Sequence, residues 1–146
     1  MRVIVTGANS GVGKATAAAL AAQGHHVVLA CRDVEKGKRA AEEMTGDVEV
    51  ARLDLADLSS VRAFAESIDR VDVLINNAGV MGVPYSRTVD GFESHIGVNH
   101  LGHFALTCLL ADRITDRVIS VASAMYLFSR IHLDDLNWER RRDSKW

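Results

Sequence analysis

The chain has 146 residues, of which 48% are hydrophobic and 25% are charged, and its formal net charge is −2 at pH 7. These totals fit one globular domain over residues 1–146, and they give no general reason to expect nucleic acid or an anionic membrane as a partner. No run approaches the ~20 apolar residues that cross a bilayer, and the N-terminus is unlike a signal peptide. We therefore expect a cytoplasmic protein in which Cys31 and Cys108 are buried, reduced thiols.

Strand-like apolar runs alternate with helical patterns along the chain. Strands are predicted at 2–5, 26–30, 48–53, 71–76 and 117–122. Helices are predicted at 15–24, from 33 to about 44, across 61–68, and from about 91 to 111, the last with Phe92, Ile96, Phe104 and Cys108 on one face. This alternation is typical of an α/β fold, so we expect a doubly wound parallel sheet of the Rossmann type with strand order 3-2-1-4-5.

The stretch "TGANSGVG" (6–13) follows the first predicted strand and opens the first helix. Gly7 can form a tight turn, Gly11 lets the backbone approach a pyrophosphate, and Gly13 lets helix and strand pack closely. The glycine spacing departs from the common G-x-G-x-x-G pattern, and a glycine-rich turn that binds nothing is the alternative. Its place between strand and helix favours a nucleotide-binding loop.

Further motifs follow the later strands in order. They are "ACRD" after the second strand, "LDL" after the third and "NNAG" after the fourth, then "NHLGHF", "RVISVAS" and "DDLNWE". With the glycine loop they extend over nearly the whole chain, each on the expected element. In these motifs the chain resembles the short-chain dehydrogenases/reductases, and within them the retinol-dehydrogenase-like branch.

The resemblance implies a nicotinamide dinucleotide cofactor and places its binding residues one by one. They are Gly7, Asn9, Ser10, Gly11, Val12, Gly13, Arg32, Asp54, Leu55, Asn77, Ala78 and Gly79. An NAD-preferring member has an acidic residue where this chain has Cys31, and Arg32 follows it. A guanidinium binds a 2′-phosphate that a carboxylate repels, so we expect NADP(H), with Asp33 capping the next helix. Lys14 is either a phosphate ligand or a surface lysine.

The resemblance also implies two catalytic residues. Ser123 matches the serine that hydrogen-bonds the substrate oxygen, and Asn99 matches the asparagine that positions a water in a proton relay. The family's tyrosine, with its lysine four residues later, has no counterpart, because Tyr126 follows Ser123 too closely and precedes Arg130 rather than lysine. Relatives carry this pair on a helix shortly beyond the position of Trp146, so we expect the C-terminal part of the domain to be missing.

Three histidines fall within the last predicted helix, namely His95, His100 and His103. Only the last two are spaced to share a face, and no third ligand stands at zinc-like spacing. We therefore expect packing or helix-surface roles for them and no metal site.

Together these features predict an NADP(H)-dependent short-chain oxidoreductase that interconverts a carbonyl and an alcohol on a hydrophobic small molecule. The alternative is a truncated, catalytically inactive nucleotide-binding protein or subunit that lacks the tyrosine and lysine. The predicted sheet leaves the outer edge of its fifth strand unpaired, so a homo-oligomer or pairing with a sibling subunit is also open.

Overall fold

One sheet of five parallel strands lies at the centre of the structure, a computed structural model that describes residues 1–128 and 130–140. The strands are β1 (Arg2–Thr6), β2 (His26–Cys31), β3 (Val48–Arg52), β4 (Val71–Asn76) and β5 (Ile114–Ser120). Their order is β3-β2-β1-β4-β5, which confirms the predicted α/β fold and strand order. The first four strands begin where the sequence predicts, whereas β5 begins at Ile114 rather than at 117.

Helices connect the strands. They are α1 (Gly11–Ala22), α2 (Val34–Glu42), α3 (Leu58–Glu66), α4 (Ser94–Ile96) and α5 (His103–Leu110), with a π-helical segment (Gly97–Gly102) between α4 and α5 and short 3-10 turns at Ala111–Arg113, Ala124–Phe128 and Leu133–Asp135. Asp33 caps α2 as predicted, because its side chain accepts a hydrogen bond from the Lys36 N–H at 3.0 Å. Asp57 caps α3 in the same way. Within the described ranges, no helix has the length and hydrophobicity that crossing a membrane requires.

Two apolar layers form, one on each face of the sheet. On one face the helices α3 and α5 bury Val61, Phe64, Leu106 and Leu110 against Ile4, Val28 and Leu74. On the other face the helices α1 and α2 bury the small residues Ala17, Ala21 and Ala40 against Val3, Val5, Val27 and Leu29. Because helices cover both faces, β1, β2 and β4 carry unbroken apolar runs instead of an alternating pattern.

The helix predicted from about 91 to 111 is present from Ser94 to Leu110, but it begins later than predicted and contains the π-helical segment between α4 and α5. Gly91 lies in a turn with φ of +87°, and α4 begins only at Ser94. The π-helical segment then adds a residue to one turn, which rotates the following residues about the helix axis. As a result Phe104 is 61% exposed, while Leu106 and Leu110 face the core.

The two cysteines differ from expectation in one respect. Both are free thiols, as predicted, and Cys31 is buried. Cys108 is exposed instead of buried, because it shares the outward face of α5 with Phe104. The rotation introduced by the π-helical segment accounts for the exposure of both Cys108 and Phe104.

The described residues after β5, which are 121–128 and 130–140, are largely irregular, as predicted for the part from 130 onward, and the loop that precedes α4 holds them. The predicted loop residues 141–146 lie outside the described residues. The Tyr85 hydroxyl donates to the Asn137 carbonyl oxygen at 3.3 Å, and the Glu93 N–H donates to the side-chain oxygen of Asn137 at 3.0 Å. An ion pair joins Arg87 to Glu139 at 2.7 Å. These contacts fix the path of the chain beyond the sheet.

Asp72 ties together the amino ends of three neighbouring strands. Its carboxylate accepts hydrogen bonds from the Thr115 hydroxyl at 2.6 Å and from the Arg2 N–H at 2.7 Å. These bonds, that from Thr115 first, lower the pKa of Asp72 from 3.8 to about 2. The ionised carboxylate therefore stabilises the join between β1, β4 and β5.

The substitution Asp72→Asn should make the free energy of unfolding depend less strongly on pH under acidic conditions. A carboxyl whose pKa is lower in the folded state stabilises the fold above its unfolded pKa, and this stability is lost as pH falls through the folded pKa. Between about pH 4 and pH 2, we expect the free energy of unfolding in urea to fall less steeply in the variant than in the wild type. The exposed Asp69→Asn variant is the control and should follow the wild type. Equal slopes for Asp72→Asn and wild type would contradict this role.

Candidate functional site

The loops after β1, β2, β3 and β4 enclose a cavity of about 540 Å³, called here the first cavity. This is the edge at which open α/β sheets bind ligands, and the volume suits a small molecule. Its lining includes all but one of the predicted cofactor-binding residues: Gly7, Asn9, Ser10, Val12, Gly13, Arg32, Asp54, Leu55, Asn77, Ala78 and Gly79. The exception is Gly11, which stands in the same loop at the start of α1.

Two glycines allow the first loop to lie against its neighbours. Gly7 adopts a φ of +66°, and a Cβ atom there would lie 2.9 Å from the backbone of Ala78. A Cβ atom on Gly13 would lie 2.6 Å from the carbonyl oxygen of Gly7. Both positions therefore require glycine, and the loop is held close to the end of β4.

The N-terminus of α1 opens into the first cavity without a capping side chain. Ser10 occupies the N-cap position but makes no side-chain capping hydrogen bond, and the first turn contains no acidic residue. In contrast, α2 and α3 are each capped by an aspartate. The N–H groups of the first turn and the positive end of the helix dipole are therefore available to an anion in the cavity.

Asp54 and Leu55 form the wall that follows β3. The Oδ1 atom of Asp54 accepts from the Ala56 N–H at 3.0 Å, and the Asp54 N–H donates to the Ser60 hydroxyl at 3.0 Å. The second carboxylate oxygen, Oδ2, has no partner among the described residues. The carboxylate is thus held in place with one oxygen able to accept a hydrogen bond from a ligand.

Side chains at the end of β2 give one end of the first cavity a net positive charge. The thiol of Cys31 is packed beneath α2, and burial, together with the charge of Asp33, raises its pKa. Arg32 is exposed, lines the cavity and forms no ion pair with any described residue. Lys36 lines the same wall with its Nζ 3.7 Å from the Asp33 carboxylate. Two cations thus face one carboxylate there.

Lys14, for which the sequence left two roles open, is turned away from the cavity. Its ammonium group forms an ion pair with Glu43 at 2.6 Å. It is not among the residues that line the first cavity. The geometry therefore favours the surface-lysine interpretation over a phosphate contact.

A second cavity of about 960 Å³ lies between the loop after β4, the π-helical segment with α5, and the end of β5. Both predicted catalytic residues, Ser123 and Asn99, line it. Apolar side chains supply much of the remaining wall: Val80, Met81, Phe104, Val118 and Val121. The two cavities adjoin, because Asn77, Ala78, Gly79, Val80 and Val121 line both.

Asn99 uses both polar atoms of its side-chain amide to hold the loop after β4. Its Oδ1 accepts from the Val80 N–H at 2.8 Å, and its Nδ2 donates to the Val80 carbonyl at 2.9 Å. One lone pair of Oδ1 and one hydrogen of Nδ2 stay available for a water, and the backbone carbonyl oxygen of Asn99 is a further acceptor. His103 approaches this carbonyl, with its Nδ1 atom 3.2 Å from the oxygen.

The buried hydroxyl of Thr6 lies in the wall between the two cavities. It accepts hydrogen bonds from the N–H groups of Asn77 and Ala78, each at 2.9 Å. The Nε2 atom of His103 is also 2.9 Å from this hydroxyl. The end of β1, the loop after β4 and the start of α5 thus meet at one polar group.

The other histidines of this region have protein partners as well. His95 pairs with the buried carboxylate of Glu93 at 2.7 Å, and the His100 ring lies 6.3 Å from that of Phe104. Burial alone would raise the pKa of Glu93, but hydrogen bonds from His95 and Ile96 lower it below its usual value. In the part of the chain that the structure describes, no three His, Cys, Asp or Glu side chains could hold a metal ion together.

The structure adds three site residues that the sequence did not identify as cofactor-binding or catalytic: Lys36, Thr6 and His103. Lys36 stands four residues after Arg32, so a helix starting after Asp33 brings it within one turn of the cavity, and that spacing could have identified it. Thr6 ends a buried strand at the ligand-binding edge. His103 interrupts an apolar helical stretch, and this is a signal for a buried polar contact.

Known proteins are similar to this chain in sequence and in fold. The family model described as short chain dehydrogenase matches residues 1–133. Human retinol dehydrogenase 13 is 50% identical over 153 residues, which cover 96% of this chain and 46% of that protein. The chain spans about half the length of the curated relatives it matches. A crystal structure of an uncharacterized protein from Mycobacterium paratuberculosis is 60% identical with a TM-score of 0.95, covering 98% of this chain and 53% of that one. The crystal structure of a metagenomic short-chain oxidoreductase in complex with NADP is 32% identical with a TM-score of 0.73, covering 84% and 62%.

The substitution Asn99→Ala should release the loop after β4 while leaving the sheet intact. Each lost hydrogen bond contributes about 1 kcal/mol, so we expect the Val80 amide to exchange its hydrogen at least about tenfold faster. NMR-detected hydrogen exchange measures this directly. The amide of Leu74, inside β4, is the internal control and should keep its rate. An unchanged rate at Val80 would show that Asn99 does not hold this loop.

Proposed function

Because the chain belongs to the short-chain dehydrogenase/reductase family, in its retinol-dehydrogenase-like branch, we propose that it is the cofactor-binding part of an NADP(H)-dependent oxidoreductase. The observation that carries this proposal is the uncapped N-terminus of α1, which opens into the first cavity near two cationic side chains. The second cavity adjoins it and is lined by Ser123 and Asn99, two polar residues near which a substrate oxygen would lie.

The first cavity fits a dinucleotide in both shape and charge. The pyrophosphate would bind the N–H groups at the start of α1, where Gly7 and Gly13 keep the loop free of side chains. The Asp54 carboxylate would accept a hydrogen bond from the adenine amino group, beside Leu55. Asn77, Ala78 and Gly79 would line the passage toward the second cavity, because they belong to both walls.

The cofactor preference rests on the charge at the end of β2. Arg32 presents its guanidinium to the cavity, and no described carboxylate competes for it through an ion pair. Lys36 adds a second positive charge, while the Asp33 carboxylate is occupied in capping α2. Cys31 puts a buried thiol where an acidic side chain would repel a phosphate. These groups favour the 2′-phosphate of NADP(H) over the free hydroxyl of NAD(H).

The second cavity is the proposed site for the substrate. The cofactor, when bound, supplies or accepts the hydride at the substrate carbon. The Ser123 hydroxyl would hydrogen-bond the oxygen of that carbonyl or alcohol, and Asn99 would hold a water through its backbone carbonyl. The apolar side chains of this cavity suit a hydrophobic alcohol or aldehyde, in keeping with the retinol named in the human relative.

A proton donor of the family type is not encoded in these 146 residues. Tyr85 is followed four residues later by Val89, and Tyr126 by Arg130, so neither tyrosine has the expected lysine. Tyr126 also lies in a 3-10 turn close to Ser123 and not on a long helix. We therefore propose that this chain binds cofactor, and that turnover needs a tyrosine and a lysine from elsewhere in the whole protein.

The substitution Arg32→Ala should weaken NADPH binding much more than NADH binding. Loss of a charge-assisted hydrogen bond to the 2′-phosphate is worth about 1.5–3 kcal/mol, so we expect roughly a 10- to 100-fold rise in the Kd for NADPH. The Kd for NADH should change by less than about twofold, since NADH has no phosphate there. Titration calorimetry gives both constants.

The matched control for Arg32→Ala is Lys14→Ala, which removes one positive charge from a side chain paired with Glu43 outside the first cavity. It should leave the ratio of the two affinities at its wild-type value. Equal losses of NADPH and NADH affinity in Arg32→Ala would refute the assignment of Arg32 to the 2′-phosphate.

The isolated 146-residue chain should bind NADPH without oxidising it. In a spectrophotometric assay with NADPH and an apolar aldehyde, we expect no loss of nicotinamide absorbance above that of a protein-free sample. Binding measured in the same preparation by fluorescence shows that the cofactor site is folded. Turnover that disappears in a Ser123→Ala variant would contradict the proposed need for an added tyrosine and lysine.

A further inference from the structure

His103 is a buried histidine in the wall that the two cavities share. It is 7% exposed, and both of its ring nitrogens contact protein atoms. Nε2 lies 2.9 Å from the Thr6 hydroxyl, and Nδ1 lies 3.2 Å from the Asn99 carbonyl oxygen. The ring therefore joins the end of β1 to the residue that holds the loop after β4.

The partners of the ring determine where its proton lies. The Asn99 carbonyl only accepts, so Nδ1 must carry a hydrogen. The Thr6 hydroxyl has two lone pairs, and the N–H groups of Asn77 and Ala78 occupy them. Its single hydrogen can then be donated to Nε2, which must be unprotonated. Every donor and acceptor is satisfied when His103 is neutral with its hydrogen on Nδ1.

A protonated ring does not fit this arrangement. An N–H at Nε2 would point at an oxygen that already accepts two hydrogen bonds, and the Thr6 hydrogen would turn to the Ile75 carbonyl oxygen at 3.4 Å. One of the peptide bonds to Thr6, from Asn77 or Ala78, would have to break. Charging the ring therefore loosens the start of the loop that lines both cavities.

We propose that neutral His103 is a positioning residue, which holds Thr6, Asn99 and the loop after β4 in the arrangement that binds the cofactor, and that its protonation weakens that binding. The binding part of this inference rests on the proposed function. The proton assignment does not, because it follows from the hydrogen bonds of the protein alone.

The surroundings of the ring agree with a neutral state. Burial, as the largest cause, and the charge of His100 lower the pKa of His103, against an opposing contribution from its hydrogen bond to Asn99. The other titratable side chains in the second cavity are His95 and His100, and no carboxylate or ammonium group is among the described residues that line it. Because the folded pKa is below the unfolded value, the arrangement is fully stable above the ordinary histidine pKa and is lost as pH falls through the folded one.

The first test is the protonation state of the ring in the wild-type chain without cofactor. Nitrogen-15 NMR of the imidazoles separates the two neutral tautomers and the cation. We expect His103 to be neutral at pH 7.5 with its hydrogen on Nδ1, and to become charged only below the ordinary pKa of a histidine. A ring with its hydrogen on Nε2, or a charged ring at pH 7.5, would overturn the proposal.

The second test compares the pH dependence of NADPH binding in two variants. In His103→Gln the side-chain oxygen replaces Nε2 as an acceptor for Thr6 and does not titrate, whereas His103→Phe fills the space without polar atoms. From pH 8 to pH 5.5 we expect the wild-type affinity to fall more than that of His103→Gln, and the difference should stay below about tenfold because the folded pKa of His103 is below its ordinary value. At pH 8 we expect His103→Phe to bind about tenfold more weakly than the wild type. The titration of the 2′-phosphate is common to every variant and cancels in the comparison.

The control for the binding test is His25→Gln, which removes a histidine outside both cavities and should show the wild-type pH response. If His103→Gln keeps the wild-type response, or if His103→Phe binds as the wild type does at pH 8, the proposed role is wrong. If the wild type itself binds no NADPH at pH 8, the proposed function fails, and the NMR measurement still decides the proton position. Should His103→Phe not fold, the wild type and His103→Gln carry the test.

Discussion

Thr6 ends β1 with a buried hydroxyl that accepts hydrogen bonds from two consecutive peptide N–H groups of the loop after β4. A buried peptide N–H without a partner costs about 1–3 kcal/mol, so this loop cannot leave Thr6 without a penalty that is large beside the stability of a domain. The loop in turn forms the shared wall of both cavities. The division of the site into two compartments therefore depends on backbone groups held at one point.

Helix α5 and the π-helical segment support this point from the opposite side. His103 reaches the Thr6 hydroxyl, and Asn99 holds the Val80 peptide one turn earlier. Residues four positions apart share one face of a helix, so the side chains of Asn99 and His103 lie on the same side. Both side chains can therefore act on the loop after β4 and on the end of β1 that holds it.

Positive charge around the first cavity is concentrated in two separate regions, and these regions would orient an anionic ligand. The helices α2 and α3 begin with aspartate caps, which satisfy their first N–H groups and offset their dipoles. The helix α1 has no such cap, and Arg32 and Lys36 lie at one end of the same cavity. An elongated anion with one charged group near its middle and another at one end matches these positive regions.

Much of this arrangement was predictable from the sequence, because it depends on local patterns. Strand runs alternating with helices predicted the sheet order, and the glycines of 6–13 predicted where the loop approaches β4. The π-helical segment within the last helix was not predicted, since such a turn leaves no distinctive periodicity and its effect is a rotation of the residues that follow it. The hydrogen bonds of Thr6 and His103 join residues 97 positions apart, so no spacing rule could pair them. Lys36 needed the helix start at Asp33 to be known first.

We propose that the two adjoining cavities hold one nicotinamide dinucleotide with its 2′-phosphate at Arg32. A crystal structure of the chain grown with NADP⁺ tests it most directly. We expect the pyrophosphate at the N-terminus of α1, the 2′-phosphate within hydrogen-bond distance of the Arg32 guanidinium, and the nicotinamide in the second cavity. A dinucleotide bound with its 2′-phosphate away from Arg32, or no bound dinucleotide at saturating NADP⁺, would contradict this binding mode.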